Sequence, residues 1–215
     1  MTKPAASVER PRRRRLTAQQ RKATIVAAAT EVFAEVGYQR GTMSEVARRV
    51  GVTEPVIFQN FGSKAAVFAA VLDDAAGRAT AAMHARVAAN GSVGAWLNEF
   101  LAPEHLSRAH AGAKHHVLFA DAITHATEPL VKAAIRRAHH SVARTLADLL
   151  ARGQAEGSVR RDLDPQTGAW WLLCLLASQS FRTATMPDRR RLEAKLGAMT
   201  LQALTTGHPE ESADR

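Results

Sequence analysis

Three groups of side chains in this chain have the types and spacing to do chemistry. The first is basic. Arg12, Arg13, Arg14 and Arg15 form an unbroken run, with Arg40 and Lys64 further along. Residues 1–64 hold twelve Lys and Arg against five Asp and Glu; the rest of the chain holds seventeen against fifteen. Most of the net charge of +9 therefore sits in under a third of the 215 residues. Charge focused in this way draws in a polyanion before any specific contact forms. Nucleic acid is the leading partner, and anionic lipid competes with it. The arginine run serves equally as a DNA-binding arm or as a solvated tail.

The second group is histidine. Seven of the nine histidines fall between His105 and His140, with pairs at His115–His116 and His139–His140. A zinc or nickel site needs three or four convergent ligands. Here Asp121 and His125 supply one i,i+4 pair, and no His-x-x-x-His pair accompanies it. Surface or pocket-wall histidines are the simpler reading, and no metal is expected. The third group is aromatic. Trp96, Phe100, Phe119 and Trp170 stand out where aromatics make up 5% of the residues. They can line an apolar ligand site or simply fill core. Enzyme signatures are missing: there is no His-Glu-x-x-His, glycine-rich phosphate loop, Gly-x-Ser-x-Gly elbow or paired-carboxylate motif. No enzymatic activity and no cofactor are expected.

The elements that must position these groups are helices. Apolar residues make up 46% of the chain, much of that alanine, which favours helix. Thr17 and Gln20 form a capping box ahead of a stripe at Ile25, Ala28, Ala29, Val32, Phe33 and Val36, and Gly37 suits the helix end. Thr42 and Glu45 make a second box, with Gly51 as the stop. Thr53 caps a third helix, which Ile57, Phe58 and Phe61 anchor, and Ser63 caps a long fourth. Two short helices joined tightly at Gly51 read as a helix-turn-helix, whose second helix enters the major groove. Later helices are expected at 92–101, 113–126, 129–152, 165–184 and 188–205, so the fold class is all-α with roughly nine helices. No strand shows sustained alternation.

The longest strongly apolar run, residues 169–177, is nine long against the roughly 20 a membrane span needs. The single cysteine, Cys174, rules out a disulfide framework within the chain. The N-terminus has charge but no following apolar stretch, so it is not a secretory signal, and a cytoplasmic location is expected.

The segment from Thr17 to Leu72 resembles the DNA-binding domain of TetR-family transcriptional regulators. The resemblance rests on AATEVFAEVGYQRGTMSEVARRVGVTEPVIFQNFGSKAAVFAAVL: the glycine after Val36, the Thr-x-x-Glu-Val-Ala box from Thr42, Gly51-Val52-Thr53, and Phe58, Phe61 and Lys64 in order. It implies a basic arm at 1–16, a helix-turn-helix domain at 17–62, a helical ligand-binding and dimerisation domain at 63–207, and a flexible tail at 208–215. The implied function is a homodimeric repressor, released from a palindromic duplex operator by a small-molecule inducer. A ligand-responsive activator, a dual regulator and an architectural DNA-binding protein are the alternatives.

DNA contacts are expected from Thr42, Thr53, Glu54, Val56, Gln59, Asn60 and Lys64, with Arg40 and the four arginines of the arm. Thr42 offers a hydroxyl and free amides to a phosphate. Gln59 suits adenine, Val56 a thymine methyl, and Glu54 either cytosine or a nearby arginine. Lys64 matches the family's phosphate-contacting lysine. Phe58 and Asn60 depart from the family's common tyrosine and histidine, which implies a different phosphate footprint. The inducer pocket is assigned to Trp96, Phe100, His115, Phe119, Trp170 and Cys174. The dimer interface, implied in the last two helices, is assigned to Trp171, Leu175, Leu192, Leu196, Met199, Ala203 and Leu204.

Overall fold

The computed structural model describes residues 17–108, 118, 119, 122, 123 and 127–205. Helix α1, Ala18–Arg40, opens with the expected capping box: Thr17 Oγ1 accepts from the Gln20 amide at 3.1 Å, and the Thr17 amide donates to Gln20 Oε1 at 2.9 Å. Gly37 does not end the helix. Its φ of 79° bends the chain, which then resumes helix as far as Arg40. Such a φ costs glycine little, and the bend leaves Tyr38 buried in the core.

Helix α2, Met43–Val50, is capped by Thr42 Oγ1, which accepts from the Glu45 amide at 3.2 Å. The second capping box is only half built, because Arg48 and Arg49 both donate to the Glu45 carboxylate. Gly51, at φ 74° and ψ 36°, takes the left-handed conformation that closes the helix, and its amide and that of Val52 both donate to the Ala47 carbonyl. Helix α3, Glu54–Phe61, follows at once, although Thr53 makes no side-chain cap hydrogen bond. Ser63 Oγ caps α4, Lys64–Asn90, by accepting from the Ala66 amide at 3.1 Å.

The remaining helices are α5 (Val93–Leu101), α6 (Pro103–Arg108), α7 (Pro129–Ala155), α8 (Pro165–Ala177), α9 (Gln179–Thr185) and α10 (Arg189–Leu204). Among the described residues no strand forms beyond one isolated bridge between Val159 and Thr205. The helix expected at 113–126 lies mostly outside the described residues. The single helix expected at 165–184 is broken at Ser178. The buried Arg182 guanidinium explains the break, because it donates to the Leu175 carbonyl and to Ser178 Oγ, so the orphan end of α8 is satisfied by a side chain. No single helix among the described residues is long and apolar enough to cross a membrane.

Two apolar cores run through the molecule. One joins Ile25, Phe33, Val46, Ile57, Phe68 and Leu72 to Leu118, Ala122, Val131 and Ala134. The other gathers Trp96, Leu97, Ala138, Leu146, Leu150, Leu172 and Leu204. Helix α7 contributes to both. Phe119 packs against each. The first core takes the N-terminal part of α4 and the second its later residues Ala76 and Val87, and α4 packs chiefly on α7.

Candidate nucleic-acid interface

In the α3 segment Thr53, Glu54 and Gln59 are exposed and Val56 is half-buried. Ile57 is fully buried and Phe61 half-buried, one helical turn apart, so they form the inner stripe. Phe58 was expected with them, but it is 40% exposed. It follows Ile57 by a single residue and so falls to the side of the narrow stripe. It therefore adds an apolar surface next in sequence to the exposed Gln59. Asn60 turns back on its own helix, its Nδ2 donating to the Val56 carbonyl at 2.7 Å.

Thr42 is exposed at the start of α2. Glu45 is drawn down to about pH 2 in its ionisation by hydrogen bonds from Arg48 and then Arg49, so it stays a carboxylate at neutral pH. Arg49 also pairs with Glu35, and Arg48 and Arg49 are thereby held on the head itself. Glu54 is exposed and makes no ion pair among the described residues. Arg40 is exposed, its Nε donating to the Val36 carbonyl at 3.1 Å. Arg12, Arg13, Arg14 and Arg15 lie outside the described residues.

Lys64 begins α4. Its Nζ donates to the Gln39 carbonyl at 3.0 Å and lies 4.7 Å from the centre of the Tyr38 ring. Tyr38 is the residue that sequence reasoning missed. It reads as a core aromatic, and nothing local shows that its hydroxyl meets Glu128, ninety residues away.

Of the aromatics expected around a ligand, Trp96, Phe100 and Phe119 meet at the second core. Trp96 is buried and stacked on Phe100 at 5.0 Å, with His105 tilted against Phe100 at 5.5 Å. Phe119 meets His139 edge-on at 5.2 Å. Trp170 and Cys174, by contrast, are exposed. They are one turn apart on α8, and the residues that α8 buries are Gly168, Ala169, Leu172 and Leu173. The expected interior position of Trp170 and Cys174 is thus corrected to an outer face, where Trp170 meets His140 at 5.7 Å. His115 lies outside the described residues, as do Asp121 and His125. Among the described residues no cluster of three His, Cys, Asp or Glu could hold a metal. An open groove of about 670 Å³ runs instead between α4 and α7, lined in part by Asp73, Gly77, Arg136, His140 and Arg144.

Of the residues assigned to the dimer seam, Trp171 and Met199 are exposed, and Leu175, Leu192, Leu196 and Ala203 are half-buried. Leu204 is fully buried in the protomer's own second core, so it is not available to a partner. It closes the end of α10, beside the hydrogen bond from the Arg160 amide to its carbonyl.

Residues 25–71, which span the helix-turn-helix and the start of α4, match the family model described as "Bacterial regulatory proteins, tetR family". This segment is a TetR-family DNA-binding domain. The chain is 43% identical over 58 residues to the HTH-type transcriptional activator FasR of Mycolicibacterium smegmatis. That match covers 27% of this chain and 26% of the relative, so it spans about a quarter of the relative's length. Among solved structures, the TetR-family transcriptional regulator from Cytophaga hutchinsonii superposes with a TM-score of 0.71 at 17% identity, covering 91% of this chain and 100% of that one. The regulator FadR from Bacillus subtilis in complex with stearoyl-CoA gives a TM-score of 0.65 at 16% identity, covering 84% and 98%. These likenesses extend the TetR fold over the helices beyond the matched segment.

Proposed function

We propose that the protein is a homodimeric repressor that binds a palindromic duplex operator through α2 and α3 and releases it when a small molecule binds the C-terminal helices. The observation that carries this reading is the helix-turn-helix itself. Gly51 holds α2 against α3, Ile57 locks α3 from beneath, and Thr53, Glu54 and Gln59 are left exposed. That is the geometry of a helix presented to a major groove. The basic excess of residues 1–64 supplies the sequence-independent attraction. In this reading residues 1–16 are a basic arm, 17–62 the reading head, 63–207 the ligand-binding and dimerisation domain, and 208–215 a tail.

Dimerisation is supported by large apolar side chains left in the open on α8 and α10, where Trp170, Trp171 and Met199 are 43%, 42% and 65% exposed. Contiguous exposed apolar surface marks an interaction site. A ligand is supported by the stearoyl-CoA held in the FadR structure. A second reading, a ligand-responsive activator, is favoured by the name of the FasR relative.

The test is selection of bound sequences from a random duplex library with the full chain. Enrichment of a palindrome is expected. Binding without enrichment, falling steeply with salt, would favour an architectural role instead. Against the selected duplex, Gln59→Ala is expected to relax preference at one base pair in each half-site, by about 1–3 kcal/mol. Equal weakening on every sequence would remove Gln59 from base reading.

A further inference from the structure

We propose that Tyr38 and Glu128 are positioning residues for Lys64, so that the first turn of α7 sets how well the head grips a phosphate. This rests on the DNA-binding reading above. The Tyr38 ring is 3% exposed, stacked on Phe68 at 4.6 Å and tilted against Phe33 at 5.9 Å. Its two polar features point to different helices. The ring face holds the Lys64 ammonium at 4.7 Å, and the hydroxyl donates to Glu128 Oε1 at 2.6 Å. Burial, the hydrogen bond and the charge of Glu128 together push the Tyr38 hydroxyl well above its ordinary pKa, so it remains a donor.

Glu128 occupies the N-cap position of α7, yet its side chain caps none of that helix's amides. The carboxylate is committed to Tyr38. A cation on one side of the ring and a carboxylate at its hydroxyl end reinforce each other, because the ring face is electron-rich and attracts the ammonium. An ammonium has three donors, so Lys64 can hold the Gln39 carbonyl and a phosphate oxygen together. With Gln39 and the ring fixing its position, little order remains to be imposed when DNA arrives.

Helix α7 makes this arrangement responsive. Val131 and Ala134 pack in the core shared with the head, while Ala138, Val142, Leu146 and Leu150 pack in the second core beside Trp96 and Phe119. A displacement of α7 in the second core would move Glu128 at its other end, because a packed helix shifts largely as a unit. The route from ligand domain to Lys64 then runs through Glu128 and Tyr38, in addition to the direct connection along α4.

The experiment measures binding of the full chain to the duplex selected by the wild-type protein, with a scrambled duplex for nonspecific binding. Glu128→Gln removes a negative charge, so electrostatics alone predicts equal or tighter binding. Positioning predicts the opposite: about threefold to tenfold weaker binding to the selected and the scrambled duplex alike, because a phosphate contact is shared by all sequences. Tyr38→Phe, which keeps the ring and its packing, is expected to show the same loss. Both losses should vanish in a Lys64→Ala background, since the residue they position is then gone. Glu128→Gln binding as tightly as wild type, or losses that persist in full without Lys64, would overturn the proposal while leaving the DNA-binding reading intact. A wild-type protein that binds no duplex would overturn both.

Discussion

Trp171→Glu is expected to yield a folded monomer of about half the wild-type mass in sedimentation, with affinity for a two-half-site duplex reduced at least a hundredfold. Trp171 is 42% exposed and sits beside Trp170 on α8, so a glutamate there reaches water without disturbing the protomer's core. At a two-fold interface the change is made twice. Each subunit loses a tryptophan, the residue type most often dominant at interface centres, and gains a carboxylate that must be desolvated to associate. A total penalty of about 3 kcal/mol already corresponds to a hundredfold change in dissociation constant. Binding of one half-site should survive, because the head is remote in the chain from α8. A variant that sedimented as a dimer would place the seam on another face.

Phe68→Ala is expected to lower stability by about 3–5 kcal/mol, the range for removing a buried phenylalanine. Phe68 is fully buried between Phe33, at 4.9 Å edge-on, and Tyr38, at 4.6 Å face-on. The loss is large against a total stability of about 5–15 kcal/mol. It corresponds to a fall in Tm of about 6–20 °C for a chain of this size. Circular dichroism on heating reads it directly. The contrast is Phe58→Ala on α3, where a 40% exposed ring leaves less to lose and a smaller effect is expected. Equal losses at the two sites would mean that Phe58 is covered in solution.

The elements most legible in the sequence were those governed by neighbours a few residues apart. The Thr17–Gln20 box, the Thr42 and Ser63 caps and the Gly51 turn each depend on side chain and backbone within one turn of helix. The departures came where a distant group took over. Glu45 left its capping role because Arg48 and Arg49 were within reach. The apolar stretch past residue 177 reads as continuous helix, but Arg182 folds back onto Leu175 and divides it. Glycine at 37 signals a stop, yet burial of Tyr38 behind the bend carries the helix onward.

The candidate site divides in the same way. The exposure of Thr53, Glu54 and Gln59 follows from their polarity beside the apolar Ile57 and Phe61 stripe. Phe58 was assigned inward on hydrophobicity, which says that a ring prefers burial but not whether a narrow stripe has room for it. Leu204 was assigned to a partner because α10 is apolar there, and packing within the protomer had already used that surface. The Tyr38–Glu128 hydrogen bond spans ninety residues and has no local signature at all.

The core that joins Phe33, Ile57 and Phe68 to Leu118, Ala122, Val131 and Ala134 has a bearing on how such regulators can be recombined. A reading head cut after α4 would leave behind part of its own interior and uncover apolar surface where those residues had packed. Grafting this head onto another effector domain would thus require the recipient to supply matching side chains on two further segments. Interchange of this domain is then governed by the fit of a shared interior as much as by the choice of a junction in the chain.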